Sequence, residues 1–202
     1  ERNEFGANES FVGKIVNVDE ELSEEKELVQ RAENDMLTGV LNKKTMEKRV
    51  SLMLKNRGDK YVIFYMVDLD NFKNVNDTLG HIYGDQAIVE TAQCLNKVFA
   101  NQDCIGRLGG DEFAVCVSYQ AFDEQGLLEF IGKKAQEICA GNRRTYTDNA
   151  SSVSITSSIG VAYAPDMGDS FTELYTQADC ALYYSKANGK DQYHIYSPKD
   201  DN

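Results

Sequence analysis

The apolar run from Tyr61 to Val67 limits the possible folds more than any other stretch, because it leads directly into acidic residues. It is rich in β-branched and aromatic residues and shows no polar alternation, which predicts a strand buried on both faces. The segment that follows, from Asp68 to Asp77, is acidic and amide-rich and leads into a predicted helix. Carboxylates at the end of a buried strand, beside the start of a helix, are typical of a metal and phosphate site.

A second acidic stretch follows two glycines, in Gly109-Gly110-Asp111-Glu112. Apolar runs at 104–105 and 113–117 flank it, and glycine reaches positive φ without a Cβ clash, so the pattern predicts a β-hairpin turn. The glycines leave bare backbone against which an anionic ligand can lie. Asp111 and Glu112 offer hard oxygen donors for Mg²⁺ or Mn²⁺. Taken alone, the turn is explained about equally well as a solvated hairpin tip.

The remaining pattern predicts an α+β fold, an α/β sandwich. Helical periodicity is found in five segments: 43–57, 71–77, 85–99, 123–140 and 171–187. Strand-like alternation is found at 153–164 and 193–196, with a turn predicted at 80–84 and a polar loop at 141–152. This order suits an antiparallel or mixed sheet with helices on one or both faces.

The N-terminal segment is predicted to be separate from this fold. Residues 1–18 contain an alternating run, Phe11 to Val18, with no partner strand nearby, which favours the tail of an upstream sensor module of PAS-like type. Residues 19–34 are charged and helix-favouring. Leu22, Val29 and Met36 are seven apart, which fits either a short coiled-coil seam or a solvated connecting helix.

Composition narrows the classes of function. The formal net charge of −12 argues against nonspecific nucleic-acid binding, which needs a basic surface, and it predicts that an anionic substrate binds together with a divalent metal. The sequence has no run of about 18 apolar residues and nothing like a signal peptide, so we expect a soluble, cytoplasmic segment without membrane contact. Five widely spaced cysteines without a C-x-x-C pair favour buried thiols in a reducing compartment.

Four ordered motifs resemble those of the GGDEF family, the diguanylate cyclases. They are Asp35 to Asn42, Asp68 to Asp85, the signature Gly109 to Phe113, and Ala178 to Lys190. The resemblance covers residues 33–197 and implies a ferredoxin-like core, shared with nucleotide cyclases and polymerase palms, in which helices flank a central, mostly antiparallel sheet. It also implies a signalling stalk at 19–34, a catalytic domain at 35–197 and a C-terminal tail at 198–202. Asp35 to Gly39 would mark the boundary between stalk and domain, with Gly39 breaking the stalk helix.

The reaction implied by this resemblance joins two GTP molecules into cyclic di-GMP and releases two pyrophosphates. The implied metal ligands are Asp68, the Leu69 carbonyl and Asp111, with Glu112 as a second-metal ligand or an activator of the attacking hydroxyl. Lys186 is implied to be catalytic and to hold phosphate. The implied substrate-binding set is Phe72, Lys73, Asn76, His81, Asp85, Gly109, Gly110, Lys186 and Lys190.

Within that set, Asn76 and Asp85 take the positions that read guanine. A carboxylate accepts from guanine N1–H and N2–H, a donor pair that adenine lacks, so Asp85 favours GTP. A structural role in the turn explains His81 about as well as ligand contact does. Asp70 and Asp77 are expected to cap or brace the loop.

One GTP per subunit implies a two-fold homodimer as the active species. The alternative is a catalytically silent module that binds GTP or a partner and relays a signal, and a second rival is a related enzyme with another base preference. Many family members carry an Arg-x-x-Asp product-inhibition site. Here Asp103 is present but Ala100 replaces the arginine, so we expect weak or absent feedback inhibition.

Overall fold

The structure is a computed structural model that describes residues 28–99 and 104–201. Residues 28–33 are helical (α1), and the chain from Glu33 onward forms one compact unit. The later helices are α2 (Lys43–Lys55), α3 (Phe72–Leu79), α4 (His81–Val98), α5 (Glu124–Asn142) and α6 (Phe171–Ala187), with a 3₁₀ turn at Pro198–Asp201. The strands are β1 (Leu41–Asn42), β2 (Tyr61–Asp70), β3 (Cys104–Gly109), β4 (Glu112–Tyr119), β5 (Arg144–Thr147), β6 (Ser152–Ala164) and β7 (Tyr193–Ile195).

The described strands form one seven-stranded sheet in the order β1-β3-β4-β2-β6-β5, and β7 also pairs with β6. The β1–β3 and β6–β7 pairs are parallel, whereas the other pairs are antiparallel. The predicted fold, a mostly antiparallel sheet flanked by helices, is confirmed. The apolar run is the central strand β2, which is buried on both faces as predicted because helices cover both sides of the sheet.

The two faces of β2 contact different helices because successive side chains of a strand point to opposite sides. Ile63 and Tyr65 belong to the core that includes α3, α4 and α5. Phe64 and Met66 belong to a second core, formed with α2 and α6. The even-numbered row ends in Asp68 and Asp70, so both carboxylates lie on the face covered by α2 and α6.

Gly160 allows α6 to pack directly on the sheet. A Cβ at this position of β6 would overlap the carbonyl oxygen of Ala178 and the backbone nitrogen of Leu182. The contact is reinforced at Ser185, whose hydroxyl donates to the carbonyl of Ile159 over 2.8 Å. The helix also begins with a capping box between Ser170 and Glu173, which satisfies amides at its first turn. The position of α6 on the sheet is therefore fixed at Gly160 and at Ser185.

Two predictions about the helices are wrong. The predicted turn at 80–84 is confined to Gly80 (φ 89°), and α4 begins at His81 rather than at Asp85. Gly84 lies inside α4 and contacts the Asn76 side chain, so this glycine serves close packing of α3 on α4 rather than a turn.

The prediction that Gly39 breaks the stalk helix is also wrong. The helix ends at residue 33, before Gly39, because Asn34 forms a bridge with Leu41 and Asp35 accepts hydrogen bonds within the next turn. Met36 lies in that turn, beyond the end of α1, so it does not continue a helical seam with Val29. Leu22, the Phe11 to Val18 run and the Ala100 to Asp103 stretch lie outside the described residues.

Strand β5 falls within the segment predicted to be a polar loop. Its residues are polar except Tyr146, which is buried, and it pairs with β6 at the edge of the sheet. Strand β1 is too short to leave a periodic pattern. Helices 43–57, 123–140 and 171–187 and strands 153–164 and 193–196 are confirmed within a few residues.

Cys94, Cys104, Cys116 and Cys139 are buried, Cys180 is half-buried, and no disulfide joins them. This agrees with the expectation for the thiols. Among the described residues, none of the helices has the length and apolar character needed to cross a membrane.

Candidate active site

Three sequence-predicted groups meet at the end of the central strand. Asp68 of β2 lies opposite Glu112 of β4 in the antiparallel register. The ammonium group of Lys186, on the last turn of α6, lies 2.8 Å from Asp68 Oδ2. The Asp68 side chain is only 9% exposed and that of Lys186 is 37% exposed, so this pair is at the boundary between the core and solvent.

The glycine turn brings Asp111 to the same edge. Gly109 has φ 153° and Gly110 has φ 52°, both in the region that favours glycine. The carbonyl of Asp111 accepts a hydrogen bond from the amide of Leu69 over 3.4 Å, which joins the turn to β2. The Leu69 side chain itself points into the core on the opposite face from Asp68.

Arg107 holds the turn in place, a role that the sequence reasoning missed. Its Nε and Nη2 donate to the Gly110 carbonyl over 3.0 and 2.7 Å, and Nη1 lies 3.3 Å from both carboxylate oxygens of Asp35. Asp35 also accepts from the amide and hydroxyl of Thr38. Burial alone would raise the pKa of Asp35, but these hydrogen bonds and the Arg107 charge hold it below 3.8. The available signal in the sequence was position: Arg107 lies two residues before Gly109, and Asp35 begins the first of the four motifs.

Burial and neighbouring charge act together on Asp68. Burial raises its pKa most, the Asp111 and Glu112 carboxylates raise it further, and Lys186 lowers it, with a resulting pKa of about 6. The charged groups that act on Asp68 are therefore two further carboxylates, Asp111 and Glu112, and one ammonium group, Lys186. A carboxyl group in such surroundings is more readily ionised beside an additional cation.

The donors fit a hard divalent cation in chemical type. Asp68, Asp111 and Glu112 offer carboxylate oxygens and Leu69 a backbone carbonyl, the ligands that Mg²⁺ takes in proteins. In the described part of the chain, no three Asp, Glu, His or Cys side chains already converge closely enough to hold one ion. For Asp68, Asp111 and Glu112 to bind one ion together, at least one of these side chains would therefore have to move.

The segment after β2 forms the second part of the candidate site. Asn71 precedes α3 in a left-handed conformation (φ 63°), and Phe72 and Lys73 are the first two residues of the helix. Phe72 is half-buried and Lys73 is exposed. Lys190 lies in the turn after α6, and its ammonium group donates to Asn71 Oδ1 over 3.2 Å. The structure thus brings Lys190 to this segment, whereas Lys186 contacts Asp68.

The predicted guanine-reading residues are carried by α3 and α4. The Asn76 side chain lies against Gly84, the residue before Asp85, so the two positions are adjacent. His81 and Asp85 are one helical turn apart on α4, and both are exposed. Because α3 and α4 pack on the face of the sheet opposite α6, the candidate site spans the end of β2 from one helical layer to the other.

The model of the family described as "Diguanylate cyclase, GGDEF domain" matches residues 32–192. The match covers most of the chain and includes every residue of the site described above, and the chain belongs to the GGDEF domain family. The α+β fold is accordingly the palm-like fold of its structural neighbours. Family membership connects the chain to cyclic di-GMP signalling.

Two curated relatives and one solved structure illustrate the range of this family. The cyclic di-GMP phosphodiesterase PdeR of Escherichia coli is 29% identical over 98% of this chain and 30% of its own length. The diguanylate cyclase TpbB of Pseudomonas aeruginosa is 31% identical over 83% of this chain and 38% of its own length. The chain thus spans about a third of these relatives.

The solved structure is that of the coiled coil and GGDEF domain of DgcB from Caulobacter crescentus in complex with c-di-GMP. It superposes with a TM-score of 0.76 and 28% identity, over 88% of this chain and 93% of that one.

Proposed function

We propose that this chain is an active diguanylate cyclase, which condenses two GTP molecules into cyclic di-GMP and releases two pyrophosphates. The observation that carries this proposal is the meeting of Asp68, Glu112 and Lys186 at the end of the central strand, with Lys186 Nζ 2.8 Å from the Asp68 carboxylate. A paired carboxylate and ammonium group at the mouth of a sheet is suited to metal-assisted transfer of a nucleotidyl group.

Asp68, the Leu69 carbonyl and Asp111 would hold Mg²⁺ or Mn²⁺, with Glu112 as a further ligand or as the group that activates the attacking hydroxyl. When bound, the metal neutralises triphosphate charge and lowers the pKa of the 3′-hydroxyl. Lys186 would then exchange its contact with Asp68 for one with a phosphate oxygen. This exchange costs little because Lys186 is partly exposed and its side chain is flexible.

The remaining groups bind and orient the substrate. Amides at Gly109, Gly110 and the start of α3 would face the triphosphate, with Lys73 and Lys190 as cationic partners. Asn76 and Asp85 would read the Watson–Crick edge of guanine, with His81 one turn away on the same helix. Direct donation from guanine to a carboxylate favours GTP over ATP.

Each subunit would supply one GTP, so two subunits face each other in the active homodimer. We assign residues 35–197 to the catalytic domain and 19–34 to a signalling stalk that receives the output of an upstream sensor. Alignment of two stalks would bring the half-sites together.

A silent module that binds GTP or a partner is the second candidate. It is supported by the name of the relative PdeR, a phosphodiesterase, and by the absence of a ready-made cluster of metal ligands among the described side chains. The retained carboxylates at positions 68, 111 and 112 favour the active enzyme instead.

The test is incubation of the chain at high concentration with GTP and Mg²⁺, with cyclic di-GMP and pyrophosphate as the products followed and Asp111→Ala as the control. Product formed by the wild type and lost in Asp111→Ala is the expected result. A verified dimer that binds GTP and forms no product would favour the silent module. Parallel assays with ATP would separate the two base preferences.

A further inference from the structure

Asp70 has no assigned role in the reaction, yet it is one of the most constrained polar residues in the fold. It ends β2 with 2% of its surface exposed. Its Oδ2 accepts from the Thr156 hydroxyl over 2.7 Å and from the amide of Asp191 over 3.1 Å, and its Oδ1 accepts from the Ser158 hydroxyl over 2.7 Å. A buried carboxylate persists where donors satisfy both oxygens, as they do here.

The amide that Asp70 binds belongs to an unusual turn. Lys190 (φ 62°) and Asp191 (φ 48°) are consecutive residues in the left-handed region, which is costly for residues other than glycine unless the surroundings hold them there. Arg143 holds the same turn from the other side, because its Nε lies 2.7 Å from Asp191 Oδ2. The turn is therefore fixed between Asp70 and Arg143.

This turn carries one of the lysines of the candidate phosphate site. Lys190 donates to Asn71 Oδ1, and Asn71 is the residue directly after Asp70. One buried carboxylate thus anchors the chain on both sides of the same contact: through its own backbone on the side of Asn71, and through the Asp191 amide on the side of Lys190.

We propose that Asp70 is a positioning residue for triphosphate binding, which sets Lys190 against the segment Asn71 to Lys73 by holding the Asp191 amide. The inference rests on the proposed function, since it names what these groups bind. Asp70 does not contact substrate itself, because both of its oxygens already accept hydrogen bonds from the protein and its surface is buried.

The rival role for an acid two residues after Asp68 is that of a metal ligand, and two substitutions separate the roles. In Asp70→Asn, an amide oxygen can accept the Thr156 and Asp191 donors, and the amide group can donate to Ser158, whose hydroxyl also accepts. Asp70→Ala keeps none of these contacts. A positioning role therefore survives in Asp70→Asn, whereas a charged ligand to a metal would be lost in both variants.

We expect Asp70→Ala to raise the KM for GTP about tenfold, the effect of losing contacts of hydrogen-bond strength at Lys190, with kcat within about threefold of the wild type. Asp70→Asn should stay within about threefold of the wild-type KM. Lys190→Ala should raise KM similarly, and Lys190→Ala/Asp70→Ala should be no worse than Lys190→Ala alone, because both changes remove the same contact.

A general loss of packing would not produce this pattern. Thr91→Val removes a buried hydroxyl of α4 that donates only within its own helix, to the Ala87 carbonyl, and serves as the matched control with unchanged KM. If Asp70→Ala is too unstable to assay, the Thr156→Val/Ser158→Ala variant removes two of the three donors and should raise KM in the same direction. Equal losses in Asp70→Asn and Asp70→Ala, or a fall in kcat alone, would overturn the proposal.

Amide hydrogen exchange at Asp191 gives a readout that does not depend on activity. We expect slow exchange in the wild type and in Asp70→Asn. Exchange in Asp70→Ala should be at least tenfold faster, which is about the factor that the free energy of one lost hydrogen bond gives. A wild type that binds GTP without turnover would defeat the proposed function, and the inference would then be judged on the Kd for GTP in the same variants. A wild type that neither converts nor binds GTP overturns both.

Discussion

Substitution of Gly160 by alanine should displace α6 from the sheet, with effects on both stability and the candidate site. The added methyl group would overlap the Ala178 carbonyl oxygen and the Leu182 nitrogen, and it would lie 2.9 Å from Leu182 Cα. These are backbone atoms of a helix and cannot rotate away. Overpacking of a core costs about 1–3 kcal/mol, and the upper part of that range applies where the neighbours are rigid.

The higher strand propensity of alanine returns about 0.5–1 kcal/mol, so we expect a net loss of about 2 kcal/mol in the free energy of unfolding. For a chain of this size such a loss lowers Tm by roughly 4–8 °C. Because Lys186 lies one turn beyond Leu182, its contact with Asp68 should also shift, which lowers cyclase activity beyond the loss of folded protein.

Urea unfolding of the wild type and Gly160→Ala, with m-values compared, measures this prediction. Gly132→Ala in α5 is the matched control, since its Cβ would meet only the end of the Tyr193 side chain, with the phenol oxygen at 2.8 Å and Cζ at 3.5 Å, and this side chain can move. The helix propensity of alanine also favours that change by about 1 kcal/mol. Unfolding of Gly160→Ala within about 0.5 kcal/mol of the wild type, with unchanged activity, would refute the packing of α6 described above.

Three further predictions concern the signature turn and the base. Arg107→Ala should lower the free energy of unfolding by about 1–3 kcal/mol and reduce GTP turnover, because two hydrogen bonds to the turn and the ion pair with Asp35 are lost. Urea unfolding measures the first effect, and a loss of stability without any loss of GTP turnover would contradict the link between Arg107 and the site. Burial alone would raise the pKa of Asp35, but hydrogen bonds from Thr38 and the Arg107 charge hold this pKa below its ordinary value of 3.8. The ionised Asp35 side chain therefore contributes its full stabilisation at pH values above 3.8, and this stabilisation is lost as pH falls through the lowered pKa. The stability gap between the wild type and Asp35→Asn should therefore narrow in unfolding curves taken at successively lower pH below 3.8, and a constant gap would argue against this pair. Asp85→Asn should lower kcat/KM for GTP about tenfold or more and leave any turnover of ATP unchanged; an equal loss with both nucleotides would point to a structural role.

The elements that the sequence predicts are those whose signal is local. The run from Tyr61 to Val67 predicts a buried strand because every residue in it is suited to a core, and Phe171–Ala187 predicts a helix because its apolar spacing and its Ser170 cap agree. The acids after β2 and after the glycines were identified by position and by family resemblance. Their common edge follows from the antiparallel pairing of Asp68 with Glu112.

The elements that the sequence misses depend on partners elsewhere in the chain. Strand β5 is polar, and it is a strand because β6 offers an edge to which Arg144–Thr147 can bond. The start of α4 was placed too late because Gly84 suggests a turn in sequence, whereas in the fold it allows Asn76 to approach. Propensity is a weak signal where such tertiary contacts decide the backbone.

The sequence by itself determined the central strand, the glycine turn, the family and the chemical types of the site residues, since each of these depends on residues close together in the chain. Only the tertiary structure decided which groups hold the site in place. Arg107 reaches Asp35 across 72 positions, and Asp70 reaches the Asp191 amide across 121. Nothing in the local pattern of any of these residues specifies its partner, because a hydrogen bond of this kind exists only after the sheet and α6 have brought the two segments together.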